Sequence, residues 1–296
     1  MSTKSRRAFL KQASAAVAVG TALLRAPKLS AMALGLPLGL QLYSVRDLLP
    51  KDYEGTLQQL ADLGYKEVEA AGFYGHDAAQ VNAAMKNAGL HCVSAHYSYD
   101  NLHPKLDEVI EFGNKLGLGY IICSFPGRKN PAPVPKGHHE AFTLEDWRWN
   151  ADQFNQIGEK VKAAGMIFGY HNHAMEFAPQ DGILPYDELL RLTDPAKVTM
   201  EMDCGWVVVG GANPVDYFHK YPKRFSMLHV KDFKTIPKDG SQPVAAELGQ
   251  GAIDYKPIFA AANRAAIKHI FIEQEEFDMP PMQSLKIDAA YLQKFS

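Results

Sequence analysis

The chain has 296 residues, 47% of them hydrophobic and 22% charged, and a formal net charge of −2. That balance excludes a disordered chain, a collagen-like repeat and a disulfide-dense miniprotein, and the length suffices for a substantial core. Cys92, Cys123 and Cys204 form no CxxC pair and no disulfide framework; they are expected as small buried apolar residues.

Residues 1–33 open with Ser5-Arg6-Arg7-Ala8-Phe9-Leu10-Lys11, run through an uncharged apolar stretch from Gln12 to Leu24, and reach Ala31-Met32-Ala33. A basic start, a short apolar run and an A-x-A site make a cleavable secretory signal. The apolar run is about 13 residues, short of the ~20 that a spanning helix needs. The paired arginines before Phe-Leu-Lys resemble a twin-arginine export signal, which implies the twin-arginine export machinery as a partner and the bacterial periplasm as the destination. Cleavage removes six of the 31 basic residues and none of the 33 acidic ones, leaving a net charge of −8. So acidic a surface repels phosphate backbones, and no nucleic-acid partner is expected.

Residues 34–296 read as one domain. Short β-rich runs fall at Leu38–Arg46, Tyr65–Ala71, His91–Tyr97, Tyr120–Ser124, Met166–His173, Val198–Asp203, Phe225–Lys231 and His269–Gln274. Between them, helical spacing of apolar residues marks Tyr53–Leu63, Asp77–Ala88, Leu106–Leu116, Asp152–Ala164, Tyr186–Leu192 and Pro257–Ala266. Gly64, Gly89, Gly117 and Gly165 each stand between a helix and the next strand, where a left-handed residue closes a helix. Alternating strands and helices imply a parallel sheet. Eight such units predict an α/β fold of the (β/α)8 TIM-barrel type. The competing open dinucleotide-binding sheet needs GxGxxG after its first strand, and Asp47-Leu48-Leu49-Pro50 stands there instead. Gly249-Gln250-Gly251 is a lone GxG. The Pro-rich stretch from Pro126 to His139 reads as a long loop that serves either the pocket or a subunit contact; a homo-oligomer is compatible with it.

Chemistry gathers at strand ends, where such barrels place their active sites. The fifth run ends Tyr170-His171-Asn172-His173, the sixth Met200-Glu201-Met202-Asp203, the seventh His229-Val230-Lys231-Asp232 and the eighth Ile272-Glu273-Gln274-Glu275. With side chains alternating in direction, His171 shares a face with His173, Glu201 with Asp203, His229 with Lys231 and Glu273 with Glu275. His, Asp, His and Glu from four neighbouring strands therefore converge, a donor set suited to one divalent ion such as Mn²⁺, Co²⁺, Zn²⁺ or Fe²⁺.

These runs resemble the xylose-isomerase-like TIM-barrel family, the sugar phosphate isomerases and epimerases. The resemblance rests on Gly169-Tyr170-His171-Asn172-His173 with Glu176-Phe177, Met202-Asp203, His229-Val230-Lys231-Asp232, Leu248-Gly249-Gln250-Gly251 with Ile253-Asp254, and Ile272-Glu273-Gln274. It implies one divalent metal (Mn²⁺, Co²⁺, Zn²⁺, Fe²⁺ or Mg²⁺) on Asp203, His229 and Glu273. His171 takes the place where many members carry Glu in a Glu-Asn-His run. Proton abstraction beside a sugar carbonyl follows, through a metal-stabilised enediolate, with isomerisation or epimerisation as the outcome. Glu273 serves as ligand and base, and Glu176 or His173 returns the proton. Lys231 stabilises the oxyanion or pairs with Asp232 or Glu201. Tyr43, Glu69 and His96 are expected to contact sugar hydroxyls, and Trp206 to offer a wall for a sugar face. Two rivals share these residues: β-elimination on a 3-keto-glycoside by a lyase, and a periplasmic sugar-binding barrel without catalysis.

Overall fold

The computed structural model describes residues 33–131, 141–238 and 240–295. The expected export signal, apart from Ala33, and residues 132–139 of the expected long loop lie outside the described residues. No helix among the described residues is long and apolar enough to cross a membrane.

Eight parallel strands close into a barrel: β1 (Leu38–Gln41), β2 (Glu67–Ala70), β3 (His91–Ser98), β4 (Tyr120–Phe125), β5 (Ile167–His171), β6 (Val198–Asp203), β7 (Phe225–Val230) and β8 (His269–Ile272). Each strand pairs with its sequence neighbours, and β1 closes the ring against both β2 and β8, with Gly39 opposite Glu67 and Phe271. Helices return the chain outside the barrel, their apolar faces making one continuous core with the outer faces of the strands. Val93, Tyr120, Ile122, Met227 and Phe271 form a separate apolar cluster. Met227 and Phe271 stand two residues before His229 and Glu273, so they point to the same face one layer lower and floor the site with hydrocarbon.

The expected helix over Asp152–Ala164 starts earlier, at Leu144. Thr143 and Asp146 form a reciprocal capping box, and Trp147, Asn150 and Ala151 are buried, so the first two turns are capped and packed. Asn150 bridges to the loop after β4, donating to Gly127 O at 2.7 Å and accepting from Gly127 N at 2.9 Å. Helices Cys204–Val209, Pro214–Lys220 and Pro281–Leu292 add to those expected. Gly64, Gly89, Gly117 and Gly165 all have positive φ. The three cysteines are free and buried.

Most strands stop earlier than their apolar runs suggest, and side chains finish the ladder. Asn172 donates to Asp203 O at 3.2 Å and accepts from Asp203 N at 3.1 Å, an amide standing in for the next rung between β5 and β6. The Tyr255 hydroxyl accepts from Lys231 N at 3.0 Å and donates to Lys231 O at 2.6 Å just past β7. These fixtures hold His171, Asp203 and Lys231 in place where the sheet hands over to loops.

Candidate active site

The C-terminal ends of the strands open into a cavity of about 670 Å³, lined among others by Tyr43, His96, Phe125, His171, His173 and Glu273. An adjoining cavity of about 210 Å³ lies between Arg46, Trp206, Lys231, Phe233 and Glu275. Glu273 and Glu275 border both.

His171, Asp203, His229 and Glu273 converge on one point and are all buried. Asp203 caps the helix Cys204–Val209 through Oδ1, which accepts from Trp206 N at 2.8 Å, and this leaves Oδ2 turned into the site. His171 Nε2 lies 3.9 Å from that oxygen. His229 Nδ1 lies 3.1 Å from Glu273 Oε2. The Lys231 ammonium reaches the same two carboxylates, 3.1 Å from Asp203 Oδ2 and 2.8 Å from Glu273 Oε2, and touches Glu275 Oε1 at 2.8 Å. Burial pushes the Asp203 carboxyl up to about 6 in spite of Lys231 and His229. Burial works against the charge on Lys231 as well, but Asp203, Glu273 and Glu275 outweigh it and hold the ammonium well above the usual lysine range.

A second ring of contacts lies on the inner side of the same two imidazoles. Glu201 Oε2 stands 2.6 Å from His96 Nε2, 3.0 Å from His171 Nδ1 and 3.3 Å from His229 Nε2. Glu69 Oε1 stands 2.7 Å from His229 Nε2 and from His96 Nε2. Gln41 and Ser94 donate to Glu69 at 2.8 and 2.5 Å, so both its oxygens are engaged. Glu69 and Glu201 are fully buried. Buried charges of this kind persist only when paired. Burial disfavours the charged form of His96, but Glu69 and Glu201 prevail and raise it to about 9. Burial lowers His171 to about 3, with His229 adding to the effect.

The expected site residues divide in three. His171, Asp203, His229 and Glu273 come together, with His96, His173 and Tyr43 on the wall of the larger cavity. Trp206 lines the adjoining cavity instead, its ring 5.0 Å from Lys231 Nζ. Glu69 and Glu176 are sealed from the cavity, contrary to expectation. Glu69 is held by protein donors on every side. Glu176 is fully buried, accepting from the Tyr170 hydroxyl at 2.5 Å and from His173 N at 3.0 Å. Lys231 pairs with neither Asp232 nor Glu201. Asp232 is taken by backbone donors of the glycine loop, Gly249 N at 3.0 Å and Gly251 N at 3.1 Å to Oδ2 and Ile253 N at 3.1 Å to Oδ1. The lone GxG thus grips a carboxylate of the protein. Glu201 was expected only as an alternative partner of Lys231, and Glu275 received no role from the sequence, although the period-two signal placed each beside an expected ligand.

The residues fit a divalent ion. Asp203 Oδ2 is buried without a hydrogen bond and faces two imidazoles and a second carboxylate. Two nitrogen and two oxygen donors suit Zn²⁺, Mn²⁺, Co²⁺ or Fe²⁺.

A closed parallel barrel with imidazoles and carboxylates at the C-terminal ends of its strands defines a TIM-barrel enzyme with a metal-capable site. Residues 57–295 match the family described as xylose isomerase-like TIM barrel. The chain belongs to that family, which places it in a superfamily of sugar-modifying enzymes. It is 26% identical over 234 residues to an inosose dehydratase of Clostridium beijerinckii, covering 70% of this chain and 76% of that protein. It is 29% identical to a solved sugar phosphate isomerase/epimerase of Parabacteroides distasonis, with a TM-score of 0.68 and coverage of 86% and 97%. The fold is shared, at 12% identity and a TM-score of 0.66, with a solved IolI protein holding a zinc atom; the match covers 88% of this chain and 96% of that one.

Proposed function

We propose that the protein is a divalent-metal-dependent lyase that removes water from a keto-sugar or keto-cyclitol, taking the proton α to the ketone and the hydroxyl β to it. One observation carries the reading: the groups near the two buried carboxylates are unlike in kind. His173 is an imidazole on the wall of the larger cavity. Its Nδ1 has no hydrogen-bond partner. Lys231 is an ammonium. Glu176, the group best suited to complete a matched pair of bases, is sealed.

A divalent ion on His171, Asp203, His229 and Glu273 would supply Lewis-acid stabilisation of the charge that develops on the ketone oxygen. His173 accepts the α-proton. The electron pair left on the α-carbon delocalises onto the ketone oxygen, and its return expels the β-hydroxyl. Lys231 protonates that oxygen as it leaves, so the products are water and an unsaturated ketone. Solvent then resets both groups. Tyr43 and His96 border the space that the sugar hydroxyls occupy, and Trp206 walls the adjoining cavity.

Similarity to the Parabacteroides isomerase/epimerase favours a second outcome, in which the abstracted proton returns to carbon. Metal-loaded protein incubated in D₂O with a keto-cyclitol or a 3-keto-glucoside separates the two. Elimination yields, from the keto-cyclitol, a product lighter by one water and, from the 3-keto-glucoside, an unsaturated ketone and the released aglycone alcohol, with ultraviolet enone absorbance in both cases. Isomerisation or epimerisation yields a product of unchanged composition carrying deuterium. Neither product from any such ketone would leave the sugar-binding barrel. We also propose that residues 1–33 direct export and are removed after Ala33, which the mass of the periplasmic protein tests.

A further inference from the structure

Each of the two metal-capable groups of side chains, His171–Asp203–His229–Glu273 and His96–His171–Glu201–His229, uses both His171 and His229. A neutral imidazole has one lone pair for a ligand and one N–H, so these two rings serve one ion at a time. The spacing decides which side holds it. A tetrahedral ion with ligand bonds of about 2.1 Å keeps its donor atoms about 3.4 Å apart. The outer contacts of 3.1 and 3.9 Å bracket that separation. Four of the inner contacts of Glu69 and Glu201 are 2.6–3.0 Å, hydrogen-bond distances shorter than either outer contact, and the fifth, Glu201 to His229 Nε2, is 3.3 Å.

We infer that Glu201 and Glu69 are positioning residues that hold the protons of the two metal-ligand histidines on the inner side. Glu201 accepts from His171 Nδ1–H, which turns the Nε2 lone pair towards Asp203. Glu69, with Glu201 beside it, accepts from His229 Nε2–H, which turns the Nδ1 lone pair towards Glu273. The two histidines then present opposite nitrogens to the metal. The carboxylates fix both the tautomer and the ring orientation, because Glu69 is itself clamped by Gln41 and Ser94 and cannot follow a turning ring. Carboxylates behind ligating histidines raise ligand basicity, and losing one weakens metal binding by about 10–100-fold.

Because the assignment rests on the metal-centre reading, wild-type binding of Zn²⁺ and Co²⁺ is measured first, by competition with a chromogenic chelator. Glu201→Gln and Glu69→Gln are then compared with Glu176→Gln, an equally buried carboxylate that touches neither ligand histidine. Expected are about 10–100-fold weaker Zn²⁺ binding in E201Q and in E69Q, a changed Co²⁺ d–d spectrum in both, and no change in E176Q. Melting of the metal-free proteins certifies folding, and either folded variant suffices. Wild-type affinity and an unchanged Co²⁺ spectrum in folded E201Q and E69Q overturn the positioning role while leaving the metal centre standing. Equal weakening in E176Q overturns it as well, since the effect then belongs to barrel stability. Failure of the wild-type protein to bind either ion overturns the metal reading and the assignment together.

Discussion

The ammonium of Lys231 lies 3.1 Å from Asp203 Oδ2, a buried oxygen that makes no hydrogen bond. The same ammonium is 2.8 Å from Glu273 Oε2, so a protein cation sits between two of the four expected metal ligands. Its third partner, Glu275, has a side chain 38% exposed and borders both cavities. A divalent ion held by Asp203 and Glu273 would take both carboxylates from Lys231 and leave it Glu275 at the rim, where the proposed elimination would call for a proton donor.

Lys231→Met separates these roles. Removing one partner of a buried ion pair costs about 3–5 kcal/mol, so the metal-free variant melts well below wild type. Added Zn²⁺ or Mn²⁺ restores more stability to the variant than to wild type, because the competing ammonium is gone and two carboxylates need a cation. Turnover falls by about 10²–10⁴-fold through loss of the acid. Weaker metal binding in the variant would show that Lys231 supports the ion rather than standing in for it.

Asp203→Ala removes the carboxylate that both caps the helix Cys204–Val209 and faces the site. Elemental analysis of wild-type protein from cells grown in mixed trace metals is expected to find about one divalent ion per chain, matching a single four-donor site, and the variant close to none. Asp203→Asn keeps the capping oxygen and loses the charge, so it retains the fold better while still binding metal poorly. Undiminished metal in both variants would move the site elsewhere.

The glycine loop makes its own prediction. Gly249 has φ of +76° and its missing Cβ would fall 2.1 Å from the Tyr291 ring. Gly249→Ala therefore strains the backbone and displaces that ring, loosening the three backbone donors on Asp232 and, next to it, Lys231. Expected are a lower melting temperature, a loss of about 1–3 kcal/mol for a residue held at a conformation costly to side chains, and reduced turnover. Wild-type melting would show that the loop yields without loss.

The barrel is legible because period-two runs and glycine-closed helices repeat along the chain, and β6 falls on its expected bounds, Val198–Asp203. The ends of β5, β7 and β8 are less so. Asn172 finishes the ladder after β5 and Tyr255 after β7 with side-chain hydrogen bonds, and after β8 Gln274 N donates to Ser44 Oγ; these partners are remote in sequence or lie across the sheet. Local alternation places His171, Asp203, His229 and Glu273 on one face, and they meet. It cannot tell an open position from a sealed one. Glu69 and Glu176 carry the chemistry of site residues, but Ser94 and Gln41 close over the first and Tyr170 over the second. The helix starting at Leu144 was hidden by its polar surface and declared only by the Thr143–Asp146 box.

Asp288, away from the mouth, gives stability a pH dependence. It is 1% exposed on the helix Pro281–Leu292, its Oδ1 accepts from Leu248 N at 2.7 Å, and its Oδ2 has no partner. Burial pushes its carboxyl up to about 7, against the bond from Leu248 and with Glu247 and Asp232 adding to the rise. In the unfolded chain an aspartate titrates near ~3.9. Between about pH 4 and 7 the folded state thus holds a proton that the unfolded state has released, so stability falls as pH rises through that window and levels off above it. The span amounts to a few kcal/mol, about 4 at most. Asp288→Asn keeps an acceptor for Leu248 N and removes the ionisable group. Urea unfolding of both proteins from pH 5 to 8 is expected to show the variant gaining on wild type as pH rises, with the gap flat above about pH 7. A gap independent of pH would mean that Asp288 keeps the same charge in the folded and unfolded chains.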